Sequence, residues 1–415
     1  SITDGAAAAK KVSSLLKEHL RGLAEAGYSQ EDLDAMPEWR RLQLSYCMEF
    51  TCKSRSRCLV SAGMVEAETS LLRAELLLQA EQHERLDIAT DSFILAVKKD
   101  IYAGFQQYKK GHQADFESYM RKSSGEEPKV SVGRAIVGSR QDSSFEDAPE
   151  ICMTLKQLNE FYHRFRSVNR EVSTLSNSIR VRAGVLWLQI CLKVRTWFWL
   201  SVFQPMRFLI NGSGENRLKV YEVGKAFDVA EETLNALIRN PISLASSDYR
   251  PFKVSDFGEA LGDFYRRVDG LEVEMWRGGA ASRRDMVTQR CYGFESEEEE
   301  DLTMDLIRAM CASGLEKLIR NNMEILSSQE GVFSESHCAL TEEEKRKISC
   351  AATHTMNANE GTFSQNDYAS KRGINFDPFT TSGLIEAKRG GHFDNVSNIW
   401  SDAHKEAAIR HVVGN

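Results

Sequence analysis

The chain has 415 residues, a formal net charge of −7, 42% hydrophobic residues and 27% charged ones. Those values are ordinary for a globular protein, and the length is enough for two lobes around a sizeable core. The acidic balance excludes a global pull toward nucleic acid or anionic membrane. Any polyanion site must be a local patch, its field confined to roughly 8 Å at physiological salt.

Proline occurs only seven times. Because proline breaks helices and central strands, its scarcity fits long helices joined by short connections. The nine cysteines are an odd set. Cys47, Cys52 and Cys58 lack a usual zinc spacing, and the N-terminus lacks the apolar core of a secretory signal. Reduced thiols without a metal are expected.

In chain order, 1–25 carries Val12, Leu15, Leu16, Leu20 and Leu23 at helical intervals, with Gly27 as the stop. Ser29 caps a second helix whose first turn holds Glu31 and Asp32, and Pro37 opens a third. From 65 to about 122 there is almost no punctuation. Leu72, Leu76, Ile94, Val97, Ile101, Phe105 and Tyr108 predict two or three packed helices. Residues 123–150 turn to glycine, serine and charge, with Pro128 and Pro149 near the ends, and read as a loop or linker between lobes.

The stretch 161–221 departs most from the average. Ten basic residues, Arg164, Arg166, Arg170, Arg180, Arg182, Lys193, Arg195, Arg207, Arg217 and Lys219, face only Glu171 and Glu215. Phe161, Phe165, Val168, Val172, Leu175 and Ile179 form a helical packing face, with Arg166, Arg170 and Arg180 away from it and Arg164 and Arg182 on its flanks. The window 183–203 is apolar nearly all round and is expected as a buried central helix. It is not expected to span a membrane, since Lys193 and Arg195 would each cost roughly 2.5–3.5 kcal/mol on insertion. Its tryptophans, Trp187, Trp197 and Trp199, have apolar neighbours and belong to a core more readily than to a stacking surface.

Pro205 ends or kinks that helix, and 211–216 is a flexible loop. Phe227, Ala230, Leu234 and Leu237 mark the next helix, and 254–268 another. RGGAASRRDMVTQR (277–290) reads as a basic loop, with Arg283 and Arg284 as a flap over a bound strand. The acidic run 295–301 opens a long helix, where negative charge suits the dipole, and offers a partner for the basic elements. After 327 the chain is more polar. Thr341 and Glu344 form a capping box, isolated aromatics such as Phe363, Tyr368 and Phe393 fit a docking arm, and the end returns to helix.

Enzyme signatures are missing: there is no GxSxG, HExxH, GxxxxGK[ST], or GxGxxG opening a helix. His404 and His411 are two helical turns apart, too far for shared ligation. The chain is expected to be no enzyme and to need no cofactor.

VGKAFDVAEETL (223–234) resembles the Ala-Phe-Asp block in coat proteins of flexuous filamentous RNA viruses, which falls here on Ala226, Phe227 and Asp228. Nucleoproteins of segmented negative-strand viruses resemble the same plan. The resemblance implies a mostly α, two-lobed core that clamps single-stranded RNA in a basic cleft. It also implies terminal arms that reach neighbouring subunits, and a location in the virion or host cytoplasm. The expected segments are an N-terminal helical lobe (1–122), the linker (123–150), a central and C-terminal lobe (151–330) and a polar arm with a terminal helix (331–415). The expected function is that of a nucleoprotein or capsid-type protein that binds single-stranded RNA without strong sequence preference and forms a homo-oligomer around it. Arg164, Arg166, Arg170, Arg180, Arg182, Lys193, Arg195, Arg217, Lys219, Arg283 and Arg284 are the expected RNA contacts. The alternative is a helical scaffold or adaptor whose basic face meets an acidic protein partner.

Overall fold

The computed structural model describes residues 29, 31, 35, 55–78, 89–101, 112–123, 127–130, 142–168, 174–211, 218, 222–323, 325–331 and 334. All belong to the first of two units into which the chain divides, Ser1–His354 and Thr355–Asn415. The helix expected over 1–25, the 211–216 loop apart from Asn211, the C-terminal arm beyond 334 and the terminal histidines lie outside them.

The fold is mostly α. The long unpunctuated stretch forms α1 (Arg55–Leu78), α2 (Thr90–Asp100) and α3 (Gln113–Lys122). Ile94, Val97 and Ile101 are buried as their spacing requires. Next comes α4 (Asp142–Val168), which begins inside the segment expected as a linker. Pro149 lies within this helix, beyond the first turn that tolerates proline best. Burial of Phe145, Ile151, Leu158 and Tyr162 on both sides of it holds the helix through that position.

The expected central helix is observed as α6 (Leu186–Phe198), after α5 (Thr174–Ala183). A π-helical turn, Trp199–Phe203, continues it into α7 (Gln204–Asn211). There the Gln204 amide donates to the Trp199 carbonyl, five residues back. Pro205, which has no N–H to give, follows immediately as the second residue of α7, so the helical path continues through it.

The remaining helices are α8 (Val223–Arg239), a 3-10 turn Pro241–Ala245, α9 (Val254–Phe257), α10 (Glu259–Asp269), α11 (Arg283–Cys291), α12 (Glu297–Asn322) and a 3-10 turn Ser327–Gln329. The single helix expected over 254–268 is two, because Gly258 between them adopts φ 79°. Phe227, Ala230, Leu234 and Leu237 are buried on α8 as expected.

One antiparallel hairpin pairs β1 (Glu272–Glu274) with β2 (Ala280–Ser282), Val273 facing Ala281. Gly278 and Gly279, at φ 94° and 87°, make its turn. Segment 127–130 lies alongside: Lys129 N–H donates to Glu274 O at 2.7 Å, and Trp276 N–H to Glu127 O at 3.0 Å.

Two hydrophobic clusters flank α6. Ile190, Val194, Trp197 and Phe198 face the first, with residues of α1, α7, α8, α10 and α12. Leu188 and Leu192 face the second, with residues of α2, α3, α4, α5 and α11. The clusters therefore do not follow chain order: α1 packs on α12 while α2 and α3 pack with later helices. The α1–α12 crossing is close because Gly63 and Gly314 lie at it. A Cβ on Gly63 would come within 2.8 Å of the Ser313 carbonyl oxygen.

Candidate nucleic-acid interface

The apolar character of α6 raises the question of what its two cations do. Arg195 is 1% exposed. Its Nε and Nη2 donate to the two carboxylate oxygens of Glu68 at 2.7 and 2.9 Å, and its Nη1 to Ser144 Oγ at 2.8 Å and to Asp91. Burial alone pulls this guanidinium down, but the Glu68 and Asp91 carboxylates outweigh it and hold the group above its ordinary value. Arg195 is thus a cross-link between α1, α2, α4 and α6, sealed from any phosphate. Lys193 is largely buried and donates to Glu299 at 2.5 Å. The acidic run at the start of α12 does hold a member of the basic stretch, through this one carboxylate.

Arg182 is 3% exposed and donates to Ser178 O and Ser92 Oγ, its guanidinium over the Phe93 ring. Arg195 and Arg182 are core residues, and Lys193 is tied down at the core's edge. Sequence shows a positive charge but not the carboxylate or ring that waits for it across the fold. Arg180 is half-buried and donates to Asn177. Arg166 lies on α4 with its side chain outside the description, and Arg170, Arg217 and Lys219 lie outside the described residues. Arg164 is exposed, 5.5 Å from the Tyr119 ring centre.

The 277–290 segment is not a loop. Only its Arg277–Gly279 turn is irregular. Ser282 caps α11 by accepting from the Asp285 amide, and Arg283 and Arg284 are its first two residues. Arg283 donates to Glu150, and Arg284 to Asp248 and Asp269. Both line a pocket beside the π turn.

Tryptophans 197 and 199 are buried, as their apolar neighbours predict. Trp197 stacks on Tyr292 at 5.4 Å and donates to the Cys291 carbonyl. In the Ala-Phe-Asp block, Ala226 and Phe227 are core residues. Asp228 accepts from the Ser327 amide at 2.8 Å and from its hydroxyl at 2.6 Å, so it caps the last 3-10 turn.

Among the described residues, an exposed basic surface lies where the end of α3, the hairpin and segment 127–130 meet. Arg121 and Lys129 approach the half-buried Trp276 ring to 5.6 and 5.8 Å. Exposed Arg277 donates to the carbonyls of Arg121 and Lys122, which draws Lys122 into the same patch. Two residues before Arg121 on α3, and so not on its face of the helix, Tyr119 carries Arg164 over its ring and donates to Glu160. Burial first, then that hydrogen bond, pushes the Tyr119 hydroxyl to about 12. The carboxylates near these cations, Glu117 at 3.8 Å from Arg121 and Glu274 at 3.1 Å from Lys129, form solvent-exposed pairs. Such pairs are worth about 0–1 kcal/mol, so a phosphate can displace them. Sequence reasoning missed this surface because its members come from positions 121 to 129 and 276 to 277.

Among the described residues no group of histidine, cysteine, aspartate or glutamate is arranged to hold a metal, and Cys152, Cys191, Cys291 and Cys311 are free thiols. No described helix is long and apolar enough to cross a membrane. Comparison with protein-family models, curated proteins and solved structures finds no match to the chain.

Proposed function

We propose that the chain is a nucleoprotein or capsid-type protein that binds single-stranded RNA without strong sequence preference and assembles around it. The observation that carries this reading is the Trp276 ring, half-exposed beside two cations, Arg121 and Lys129, with Arg277 and Lys122 adjoining. Cations neutralise phosphates and release counterions, while an aromatic face stacks on any base at about 1–3 kcal/mol. Tyr119, with Arg164 over its ring, is a second ring and cation pair on α3. Nothing in it reads a base edge, hence the tolerance of sequence. Of the contacts expected from sequence, Arg164 is exposed beside Tyr119, and Arg166 and Arg170 follow it in the chain.

The test is fluorescence anisotropy with a labelled single-stranded RNA of mixed sequence, across a salt series. Trp276→Ala should weaken binding by about 5- to 150-fold, the span of one stacked base. Joint replacement of Arg121, Lys129 and Arg277 by alanine should reduce the log–log salt slope by about 2. Unchanged affinity in both variants, or wild-type protein that ignores RNA at low salt, overturns the reading. Salt-sensitive capture of polyglutamate by a chain that ignores RNA would favour the acidic-partner scaffold.

A further inference from the structure

Two of the buried free thiols, Cys152 and Cys291, share the seam between α4 and α11. Two arginines of α11 set the register of that seam. Arg283 Nε donates to Glu150 at 3.0 Å, and Arg290 Nη1 donates to the Met153 carbonyl at 3.2 Å. Cys152 adjoins Met153 and Cys291 adjoins Arg290, so the same register brings the two cysteines together. Their thiols are hydrogen-bonded to each other. Cys191 and Cys311, the other two, belong to the first hydrophobic cluster and not to this seam.

A disulfide needs its two Cα atoms about 4.4–6.8 Å apart. Cys152 is held mid-helix, but Cys291 is the last residue of α11. Extended Tyr292 follows it, and then Gly293 at φ 93°. The backbone adjustment that closes a bond therefore falls at a helix end, where no helical hydrogen bond beyond it is lost. Arg290 also donates to Glu127 at 2.9 Å, so the seam adjoins the segment that carries Lys129.

We propose that Cys152 and Cys291 are a redox pair, which hydrogen peroxide joins into a disulfide that locks α11 onto α4. Cys152 is the more accessible sulfur, 6% exposed against 0% for Cys291. Burial first, then the hydrogen bond with Cys152, pushes the Cys291 thiol well above its ordinary value. Cys291 stays protonated, and the first attack falls to Cys152. Its sulfur bonds one peroxide oxygen, the O–O bond breaks, and the departing hydroxide takes the thiol proton to leave as water. The sulfenic acid so formed faces Cys291. The Cys291 sulfur displaces the sulfenic hydroxyl, which leaves with the Cys291 proton as a second water. Two thiols have then lost two electrons and two protons to one peroxide, and a dithiol reductant reverses the bond.

Peptide mapping of the intact chain tests this. The reduced protein is treated with equimolar hydrogen peroxide, alkylated in denaturant and digested without reductant. A linked peptide pair holding Cys152 and Cys291 is expected, lost on dithiothreitol, with Cys191 and Cys311 recovered as alkylated thiols. Peroxide treatment in urea should remove most of that product, because the pairing depends on the packed seam. Cys291→Ala should leave Cys152 as a sulfenic acid that dimedone captures, and Cys152→Ala should leave Cys291 a thiol. The oxidised wild type should melt about 5 °C above the reduced form, since the bond closes a long loop. Recovery of Cys152 and Cys291 unlinked, whether alkylated or over-oxidised, overturns the pair, as does an equal yield in urea. A linked chain whose midpoint does not rise overturns the lock. Mapping and melting need only the wild-type chain, so a variant that fails to fold does not decide the matter. RNA takes no part in this chemistry, and the Trp276 surface and the thiol pair stand or fall separately.

Discussion

Arg195 and Glu68, 127 residues apart in sequence, meet as a two-point pair in which both side chains are at most 2% exposed. A buried pair of this kind contributes little beyond what apolar packing would, yet losing one partner strands the other charge in the core. Arg195→Met should therefore destabilise the fold by about 3–5 kcal/mol in chemical denaturation. Adding Glu68→Leu should recover a large part of that loss. If the single variant costs under 1 kcal/mol, the pair is not buried in solution.

Gly63 and Gly314 give a contrasting pair at the α1–α12 crossing. Alanine favours a helix by about 0.8–1.0 kcal/mol over glycine. At Gly63 a methyl would meet the Ser313 carbonyl at 2.8 Å, backbone that cannot yield. At Gly314 it would meet the Met64 side chain at 3.1–3.2 Å, and methionine can shift. Gly63→Ala should lose about 1–3 kcal/mol from overpacking, and Gly314→Ala should be near neutral. Equal thermal midpoints for the two variants would contradict this.

Alkaline pH should weaken the fold in a defined window. Burial holds the Tyr265 hydroxyl, which donates to the Phe252 carbonyl at 2.9 Å, at about 12 against an ordinary 10.0. The folded state keeps a proton that the unfolded chain releases, so this contribution is complete below about pH 10 and falls away between about 10 and 12. Tyr265→Phe should cost about 1 kcal/mol at neutral pH, and its deficit relative to wild type should shrink above pH 10. A deficit constant through pH 11 in denaturant titrations would reject the assignment.

Purification offers a cheap check on assembly. Protein prepared in low salt should elute as large particles with excess absorbance at 260 nm, both lost after a high-salt wash or nuclease. A small, nucleic-acid-free species that also ignores added RNA would end the nucleoprotein reading.

Much of the scaffold was legible because it is local. The 183–203 window announces a buried helix by apolar composition, and Phe227, Ala230, Leu234 and Leu237 announce the face of α8. Ser282 and Asp285 carried a helix start that the neighbouring Arg-Gly-Gly obscured, although only the two glycines needed the turn. The site was less legible. A guanidinium reads the same in sequence whether it ends at the exposed surface over a tyrosine ring, as Arg164 does, or between Glu68 and Asp91, as Arg195 does. One cue was present: an acid such as Glu68 within a helix that otherwise packs calls for a buried cation. The Trp276 surface gave no such cue, because 155 positions separate Arg277 from the carbonyl of Lys122 that it binds.

The packing of α1 against α12 also has a consequence for synthesis. Lys317 of α12 bonds to Glu66 of α1 across 251 positions. At roughly 5–20 residues per second, the ribosome needs on the order of 10–50 s to deliver the second helix after the first. For that interval Val60 and Met64 have no native cover from α12, and the nascent chain is a client for any chaperone that holds short apolar helices. A messenger truncated before α12 would yield a product that cannot close its first cluster, and the cell would meet it as degradation substrate rather than as a smaller working protein.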